Sequence, residues 1–349
     1  MERSQRIAGC LIGGAIGDAL GWPVEFLSSA AIRKAYGENG ITDLDKNEKG
    51  YAEFTDDTQM SLFTADGVLR YLNTVKQSEK PADFAAILHA SYLRWLYTQQ
   101  TPRTEDQAML DGWLYHRPEL HVRRAPGVSC MSALNTAWIG SVEDPINPSK
   151  GCGAVMRAAP IGLVFDAEEA FVKGMIAGAL THGHPSGYLS SAALARIIAE
   201  LMCGESLSHA LGTTMERLKH ENGHEECLLY LKKAYELAND EIEPRRAIEA
   251  LGLGWVGEEA LAIAVYCALK YPDDAKKALL LAVNHDGDSD STGAICGNLM
   301  GAWKGLAAFP QAWINGVEGL DILTQTAIDL SVGRSVPTNG MNVIRWSDD

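Results

Sequence analysis

The stretch HDGDSDSTGAICGNLMGAWKG, residues 285–305, joins two halves of opposite character. Its first half places three aspartates within five positions: Asp286, Asp288 and Asp290. Its second half is apolar and repeats glycine every fourth residue: Gly293, Gly297, Gly301 and Gly305. Residues four apart lie on one face of an α-helix. The second half therefore predicts a helix with one ridge that carries no side chains.

A second glycine stripe lies near the N-terminus. The segment IAGCLIGGAIGDALG, residues 7–21, also spaces glycines by four: Gly9, Gly13, Gly17 and Gly21. Glycine destabilises a helix interior by about 1 kcal/mol relative to alanine, so two such stripes need a compensating contact. A bare ridge lets another backbone approach more closely than the usual distance between helix axes. We therefore predict two central glycine-ridged helices in close contact with other elements, or with each other.

The rest of the chain also has a mainly helical pattern. Apolar residues recur every three or four positions in five further segments: 81–100, 168–182, 189–204, 226–240 and 257–271. Strictly alternating strand patterns are hard to find. Two segments rich in Gly, Pro and Asn or Ser, residues 142–153 and 181–188, predict loops. Since no internal repeat or linker divides the chain, we predict one compact all-α domain over residues 1–349.

The composition is that of an acidic globular protein. The 349 residues are 46% hydrophobic and carry a net charge of −15, which excludes non-specific binding to a nucleic acid backbone. Seven scattered cysteines, never in CxxC spacing, predict reduced thiols rather than disulfides or a structural zinc site.

The N-terminal apolar run resembles a signal peptide only superficially. Arg3 and Arg6 precede it, but charged residues fill the place where an apolar core would have to lie, and Asp18 soon interrupts the run. No uninterrupted stretch approaches the ~20 apolar residues that span a bilayer. We expect a cytoplasmic protein without a membrane anchor.

A second acidic cluster opens another predicted helix at TDDT, residues 55–58. Thr55 before Asp56 and Asp57 is typical of a helix start, because a hydroxyl caps the first turn and acids favour the N-terminal dipole. Taken alone, each acidic cluster is explained as a helix cap. Together they form a matched pair, and facing one another they would bring about five carboxylates together. Like charges at that density raise pKa values or require a cation.

Oxygen ligands alone select hard ions such as Mg²⁺, Mn²⁺ or Ca²⁺. Zinc is disfavoured because His and Cys do not cluster around these acids. An EF-hand is excluded because the 286–297 stretch has no glutamate at its twelfth position and continues into a helix.

Five blocks of sequence, in order along nearly the whole chain, resemble the ADP-ribosylhydrolase (ADP-ribosylglycohydrolase) family, that of the dinitrogenase-reductase-activating glycohydrolase. They are GGAIGDALGWPVEF, FTDDTQMSLFTADGVL, KGCGAVMRAAPIGL, LTHGHPSGYLSSA and HDGDSDSTGAICGNLMGAWKG. The resemblance implies a single all-α domain with a cleft that holds two Mg²⁺ or Mn²⁺ ions. DSDST is similar to the arginine-specific branch, whereas other branches read DTDT. The implied activity is removal of ADP-ribose from modified arginine in proteins.

The resemblance also implies roles for particular residues. The implied metal ligands are Thr55, Asp56, Asp57, Asp288, Asp290 and Ser291. The implied catalytic residues are Glu25, Asp56 and Asp57, of which Glu25 or Asp57 would act as general base on a water. The implied substrate-binding residues are Ser149, Lys150, Gly151, Gly153, His182 and Tyr188, with the glycine-rich loop cradling the diphosphate and Tyr188 stacking on adenine.

Several neighbouring residues have bland interpretations. His184 is predicted to cap a helix end, and Asp18 to bond a neighbouring helix end. Arg157 either serves the ligand or forms a structural ion pair. Some relatives carry Asn where this chain has Cys152, so an amide contact is not expected there.

The implied reaction cleaves the bond from ADP-ribose C1″ to a side-chain atom through an oxocarbenium-like transition state. Three alternatives remain open at this point. The first is hydrolysis of another linkage: O-acetyl-ADP-ribose, ADP-ribosyl-serine, poly-ADP-ribose or modified nucleic acid. The second is a binding or structural protein that has lost turnover, although the implied metal ligands are all intact. The third is an antitoxin-like protein that blocks an ADP-ribosyltransferase toxin by binding it.

Overall fold

The computed structural model describes residues 2–77, 81–103, 106, 110–136 and 138–333. It is 65% helical. Within those ranges no β-strand forms, and only two isolated bridges join Ala52 to Val317 and Gly151 to Val256. The predicted all-α fold class is therefore confirmed. The single domain over 1–349 stays a prediction, and its last part, 334–349, lies outside the described residues.

The described residues form sixteen α-helices, connected by loops and short 3₁₀ turns. In chain order they are α1 (Arg3–Gly21), α2 (Ser29–Tyr36), α3 (Asp56–Gln77), α4 (Phe84–Gln99), α5 (Val128–Leu134), α6 (Ala159–Gly162), α7 (Ala167–Ala179), α8 (Pro185–Met202), α9 (Leu207–Leu218), α10 (Glu225–Ala238), α11 (Pro244–Leu251), α12 (Gly257–Lys270), α13 (Ala275–Val283), α14 (Ser289–Lys304), α15 (Gln311–Ile314) and α16 (Leu320–Val332).

The two glycine ridges belong to α1 and α14, and they face each other. A Cβ added at Gly13 would lie 2.7 Å from the carbonyl oxygen of Gly297, and one added at Gly297 would overlap the carbonyl of Gly13. The same exchange joins Gly9 to Gly301. The helices therefore run antiparallel with backbone against backbone, and the predicted contact between the ridges is confirmed.

This antiparallel packing decides where the helix ends lie. Gly21, the last residue of α1, lies against the backbone of Ser289, the first residue of α14. A polar side chain, that of Asn298, also bonds across this seam. Its Nδ2 donates to the carbonyl oxygen of Cys10 at 2.8 Å. The rigid seam thus holds the C-terminus of α1 beside the N-terminus of α14.

Five helices predicted from apolar periodicity are present as α4, α7, α8, α10 and α12, with ends that differ by a few residues. The largest difference is at α8, which begins at Pro185, so the predicted loop over residues 181–188 is wrong for its second half. Proline at the first helical position starts the helix. His184 Nδ1 accepts from the backbone N–H of Ser186, which confirms its predicted role as a cap.

Helix α1 with the turn after it, Arg3–Val24, has a mean hydropathy of 1.4 over its best window and is long enough to cross a membrane. The segment contains Arg3, Arg6 and Asp18, so it is not an uninterrupted apolar stretch. In this fold 83% of that window is buried among other helices. Its apolar character is accounted for by its central position.

Candidate active site

Asp18, near the end of α1, binds the start of α3. Its carboxylate accepts hydrogen bonds from the backbone N–H groups of Thr55 and Thr58 at 2.9 and 3.0 Å. These N–H groups belong to the first turn of α3, where no intrahelical acceptor is available. The predicted structural role of Asp18 is confirmed, and it brings α3 against the end of α1.

The starts of α3 and α14 meet at this point. Thr55 Oγ1 lies 3.2 Å from Asp290 Oδ2, although the two residues are 235 positions apart. Asp288 caps α14 by accepting from the backbone N–H of Ser291 at 3.2 Å. Two helix N-termini therefore point into one space, and both favour negative charge there.

Glu25 completes the acidic cluster from a third direction. It follows a 3₁₀ turn, Trp22–Val24, which begins directly after α1. One carboxylate oxygen each of Glu25, Asp288 and Asp290 lies within 4.8 Å of the others. The structure thus brings Glu25, Thr55, Asp56, Asp57, Asp288, Asp290 and Ser291 to one place, as the sequence predicted, while their roles stay predictions.

Burial and mutual repulsion disturb the ionisation of this cluster. Burial, and then the charges of Asp290 and Asp288, raise the pKa of Glu25 to about 10. Burial and the charge of Asp290 raise the pKa of Asp57 well above its usual value. The same two causes raise the pKa of Asp288 and bring the pKa of Asp18 to about 7. Without a compensating positive charge, several of these acids would hold protons at neutral pH.

The donor atoms fit a hard divalent cation. Asp57 Oδ1 and Glu25 Oε2 are buried and have no hydrogen-bond partner in the described part of the chain. An unpartnered buried carboxylate oxygen is costly unless something positive binds it. Other oxygens of the cluster are partly satisfied by the protein; Asp56 Oδ2, for example, accepts from the backbone N–H of Gly127 at 3.1 Å. Carboxylate and hydroxyl oxygens are the ligands that Mg²⁺ and Mn²⁺ prefer.

The glycine-rich loop Ser149–Gly153 borders the acidic cluster. Cys152 Sγ lies 2.8 Å from Asp288 Oδ2, so the thiol donates to a carboxylate of the cluster. The backbone N–H of Cys152 donates to the carbonyl oxygen of Trp255, which anchors the loop. Ser149 Oγ exchanges a hydrogen bond with Ser129 at 2.7 Å. The loop backbone therefore stands beside the acids, as a ligand cradle requires.

Lys150 differs from the other residues of this loop. Its Nζ is bound by Glu226 at 2.7 Å and Glu258 at 2.5 Å. Two carboxylates therefore already neutralise the amine. They belong to helices α10 and α12. A contact between Lys150 and the ligand stays a prediction, and this geometry does not favour it.

His182 borders the glycine-rich loop, whereas Tyr188 packs against α7. A Cβ added at Gly151 would lie 3.4 Å from His182 Nε2, so the imidazole borders the two glycines of the loop. Burial, and then the charge of Arg157, lower the pKa of His182 to about 3, which keeps the ring neutral. Tyr188 is 6% exposed in the first turn of α8 and packs against Gly178 of α7. Stacking of Tyr188 on adenine stays a prediction.

An aromatic pair next to the acidic cluster was not predicted from the sequence. Phe26 stacks on Trp255, with ring centroids 5.2 Å apart and planes inclined by 20°. Phe26 directly follows Glu25, is 68% exposed and has a φ of 64°. That backbone conformation is uncommon for a bulky residue, and such outliers concentrate at functional sites. The only available signal was the motif GWPVEF itself, since the contact with Trp255 joins distant parts of the chain.

The fold and the site together define an all-α protein with a buried acidic centre at the meeting point of three helix ends. Comparison with known proteins places it in a family. The family model for ADP-ribosylglycohydrolase matches residues 1–339. The chain belongs to the ADP-ribosylglycohydrolase family.

Individual relatives agree with this assignment. A protein of Archaeoglobus fulgidus is 30% identical over 93% of this chain and 96% of its own length. The ADP-ribosyl-[dinitrogen reductase] glycohydrolase of Rhodospirillum rubrum is 24% identical over 90% of each chain. A solved structure named as an ADP-ribosylglycohydrolase-related protein complex has a TM-score of 0.56 and 22% identity, covering 95% of this chain and 99% of that one, which supports the fold.

Family membership gives the general activity. The chain is a glycohydrolase that cleaves ADP-ribose linkages, with an ADP-ribosylated substrate and ADP-ribose as product.

Proposed function

We propose that the chain is a metal-dependent hydrolase that removes ADP-ribose from modified arginine side chains of cytoplasmic proteins. The observation that carries the proposal is the convergence of buried carboxylates around unpartnered oxygens of Asp57 and Glu25. If these acids served only the stability of the fold, so many of them would not be buried around oxygens that have no hydrogen-bond partner. The arrangement is explained if the site binds cations and a ligand.

Two Mg²⁺ or Mn²⁺ ions are the cofactors that we propose. The residues that would hold them are Thr55, Asp56, Asp57, Asp288, Asp290 and Ser291, with Glu25 reaching the same space. Ions bound there would supply positive charge for the ribose hydroxyls and the diphosphate of an otherwise acidic protein. Their charge would also lower the raised pKa values of the cluster and free a carboxylate to act as a base.

The protein's own part in the hydrolysis begins with a water molecule. Glu25 or Asp57 takes a proton from this water as its oxygen forms the new bond to C1″ of the ribose. The bond from C1″ to the side-chain nitrogen breaks with its electron pair going to the nitrogen, so that the modified guanidinium leaves as a neutral guanidine. The proton held by the carboxylate then passes to this guanidine, which restores the arginine guanidinium and the free carboxylate. Burial of Asp57 and of Glu25 Oε2 excludes bulk water and strengthens their electrostatic effect on the oxocarbenium-like transition state.

Two features support arginine as the modified residue. The first is the DSDST motif, residues 288–292, which resembles the arginine-specific branch. The second is the exposed stack of Phe26 and Trp255 next to an acidic cluster. Guanidinium groups are attracted both to aromatic faces and to carboxylates, and neither a serine hydroxyl nor an acetyl group shares both preferences.

The test incubates the purified protein with an arginine-ADP-ribosylated protein and Mg²⁺, and measures released ADP-ribose. We expect release by the wild type, none in EDTA, and a loss of about 10²–10³-fold or more in Asp56→Ala and Asp290→Ala. Asp273→Ala is the matched control, because its carboxylate is 87% exposed and pairs with Lys304. This variant should hydrolyse like the wild type.

Other outcomes separate the alternatives. Faster release from a serine-linked or O-acetyl substrate would refute the arginine assignment and keep the hydrolase. Tight ADP-ribose binding without release from any substrate would refute catalysis. Protection against an ADP-ribosyltransferase that survives Asp57→Ala and Asp290→Ala would point instead to direct binding of the toxin.

A further inference from the structure

A chain of hydrogen bonds runs from a buried arginine to the imidazole of His182. Arg157 is 0% exposed, and its guanidinium lies 4.1 Å from the ring centroid of Tyr92. Its Nη2 donates to Thr181 Oγ1 at 2.6 Å and to the carbonyl oxygen of Ala177 at 3.2 Å. Thr181 Oγ1 in turn lies 2.8 Å from His182 Nδ1.

Arg157 is held by neutral groups. No carboxylate of the described residues lies within ion-pair distance of it, so the structural ion pair considered for this residue is absent there. Burying a guanidinium without a carboxylate costs free energy. We therefore expect Arg157 to act on the groups that it contacts. Its best-aligned contact is the hydroxyl of Thr181.

The proton positions in this chain follow from the donor inventory. A guanidinium only donates, so Thr181 Oγ1 accepts from Arg157 and keeps its own proton to donate elsewhere. Two acceptors are in reach of that proton, His182 Nδ1 and the sulfur of Cys130. Sulfur is a weak acceptor and an imidazole nitrogen a good one. Nδ1 therefore accepts, and the single proton of the neutral ring is on Nε2.

The Nε2–H group faces the glycine-rich loop. Cβ atoms added at Gly151 and Gly153 would lie 3.4 and 3.5 Å from His182 Nε2, so side chains there would fill the space in front of it. Among the described residues none forms a hydrogen bond with Nε2. A ligand oxygen above the two glycines would meet a donor whose orientation and tautomer are already set.

We propose that Arg157 and Thr181 are positioning residues that hold His182 as a neutral Nε2–H donor to an acceptor oxygen of the bound ligand. The identity of that ligand as ADP-ribose rests on the proposed function, whereas the tautomer does not. The glycines at positions 151 and 153 then have a second purpose, since they keep the donor accessible. A lysine in place of His182 would add charge on a flexible stem and would lack this fixed direction.

The tautomer is measured by nitrogen-15 NMR of the histidine side chains in the full-length protein. His182→Gln identifies the signals of this ring among the nine histidines. The wild type should show an unprotonated Nδ1 and a protonated Nε2. Thr181→Ser keeps the hydroxyl and should keep this pattern, while the isosteric Thr181→Val should give mixed or reversed tautomers. A protonated Nδ1 in the wild type, or an unchanged spectrum in Thr181→Val, overturns the proposal.

The positioning role is measured by calorimetric titration with ADP-ribose in the presence of Mg²⁺. Loss of one oriented hydrogen bond should weaken binding about five- to tenfold in Thr181→Val, and Thr181→Ser should stay within about twofold of the wild type. Thr214→Val is the matched control, because Thr214 of α9 is equally buried and its Oγ1 has no partner in the described structure. That variant should bind ADP-ribose like the wild type.

The two measurements fail separately. The expected spectrum with unaltered affinity in Thr181→Val overturns the positioning role. The expected spectrum with no ADP-ribose binding by the wild type refutes the proposed function and leaves the tautomer assignment standing. If Thr181→Val does not fold, the wild-type spectrum still decides the assignment and Thr181→Ser still reports the affinity.

Discussion

Helix α14 carries two regions of opposite character only a few residues apart. From Gly293 onward it packs backbone against backbone on α1, without side chains between the ridges. At its N-terminus Asp288 and Asp290 are 3% and 2% exposed, and burial raises the pKa of both. The first region is well packed, whereas in the second region the carboxylates repel one another.

The contrast explains why the acidic centre is possible. Close-packed backbones cannot shift without separating the helices, so the seam fixes the ends of α1 and α14. Carboxylates attached to those ends are held together although they repel each other. The strain of the site is therefore balanced by the seam, and changes in the two regions should have opposite effects on stability.

The largest effect is expected in the seam. Gly297→Ala would place a Cβ against the carbonyl of Gly13, where no flexible side chain can yield. We expect a loss of about 3 kcal/mol in the free energy of unfolding, as for other overpacked cores. Chemical denaturation monitored by circular dichroism measures this.

Gly212→Ala is the control for the seam. Gly212 lies in α9, and a Cβ there would meet no atom within 4 Å. Alanine favours the helix, so this variant should be stabilised by about 0.5–1 kcal/mol. Equal effects of the two substitutions would show that the ridges are not in tight contact.

In the acidic centre we expect a substitution to raise the free energy of unfolding, by less than the seam substitution lowers it. An acid whose folded-state pKa is raised stabilises the protein below its unfolded pKa, and this contribution is lost as pH rises through the folded pKa. The raised pKa values include about 7 for Asp18 and about 10 for Glu25, and the charge of Asp290 contributes to both. In EDTA, Asp290→Asn should therefore exceed the wild type in stability by about 2 kcal/mol at pH 8.

That difference should shrink as pH falls from 8 to 6, because the wild-type acids become protonated. The lowered pKa values of buried histidines also make stability depend on pH, but these residues are common to both proteins and their contributions cancel in the difference. Added Mg²⁺ should stabilise the wild type and not the variant. Thermal unfolding at three pH values measures this, and a less stable Asp290→Asn in EDTA at pH 8 would contradict it.

Local sequence was enough to predict the parts of the site but not all of its neighbours. The TDDT and DSDST motifs identify two acidic helix starts because caps and dipoles act within one turn. The glycine ridges further predict a close helix contact, and that contact is what brings the starts together. His184 was assigned correctly for the same reason, because it caps the helix that directly follows it.

Other features near the site depend on contacts between distant segments of the chain, which the sequence did not predict. Lys150 was expected at the ligand, but Glu226 and Glu258 bind it from helices that lie far along the chain. The stack of Phe26 on Trp255 is likewise a contact between distant segments. No local periodicity encodes which side chains meet when helices pack, so these pairs became visible only in the structure.

The smallest effect is expected at Cys152, in the glycine-rich loop beside the acidic centre. Its thiol donates to Asp288, but the loop is held mainly by its backbone, through the Cys152 bond to Trp255 and the bridge of Gly151 to Val256. A neutral thiol is a weak donor, so Cys152→Ala should weaken Mg²⁺ binding only about threefold in a calorimetric titration. Cys152→Ser keeps a donor and should match the wild type. A loss well above about a hundredfold in the alanine variant would exceed what contacts to metal ligands usually contribute, and would mean that the sulfur itself binds the cation. A small loss would instead mean that the backbone holds the loop beside the acids, and that the side chain only adjusts one of them.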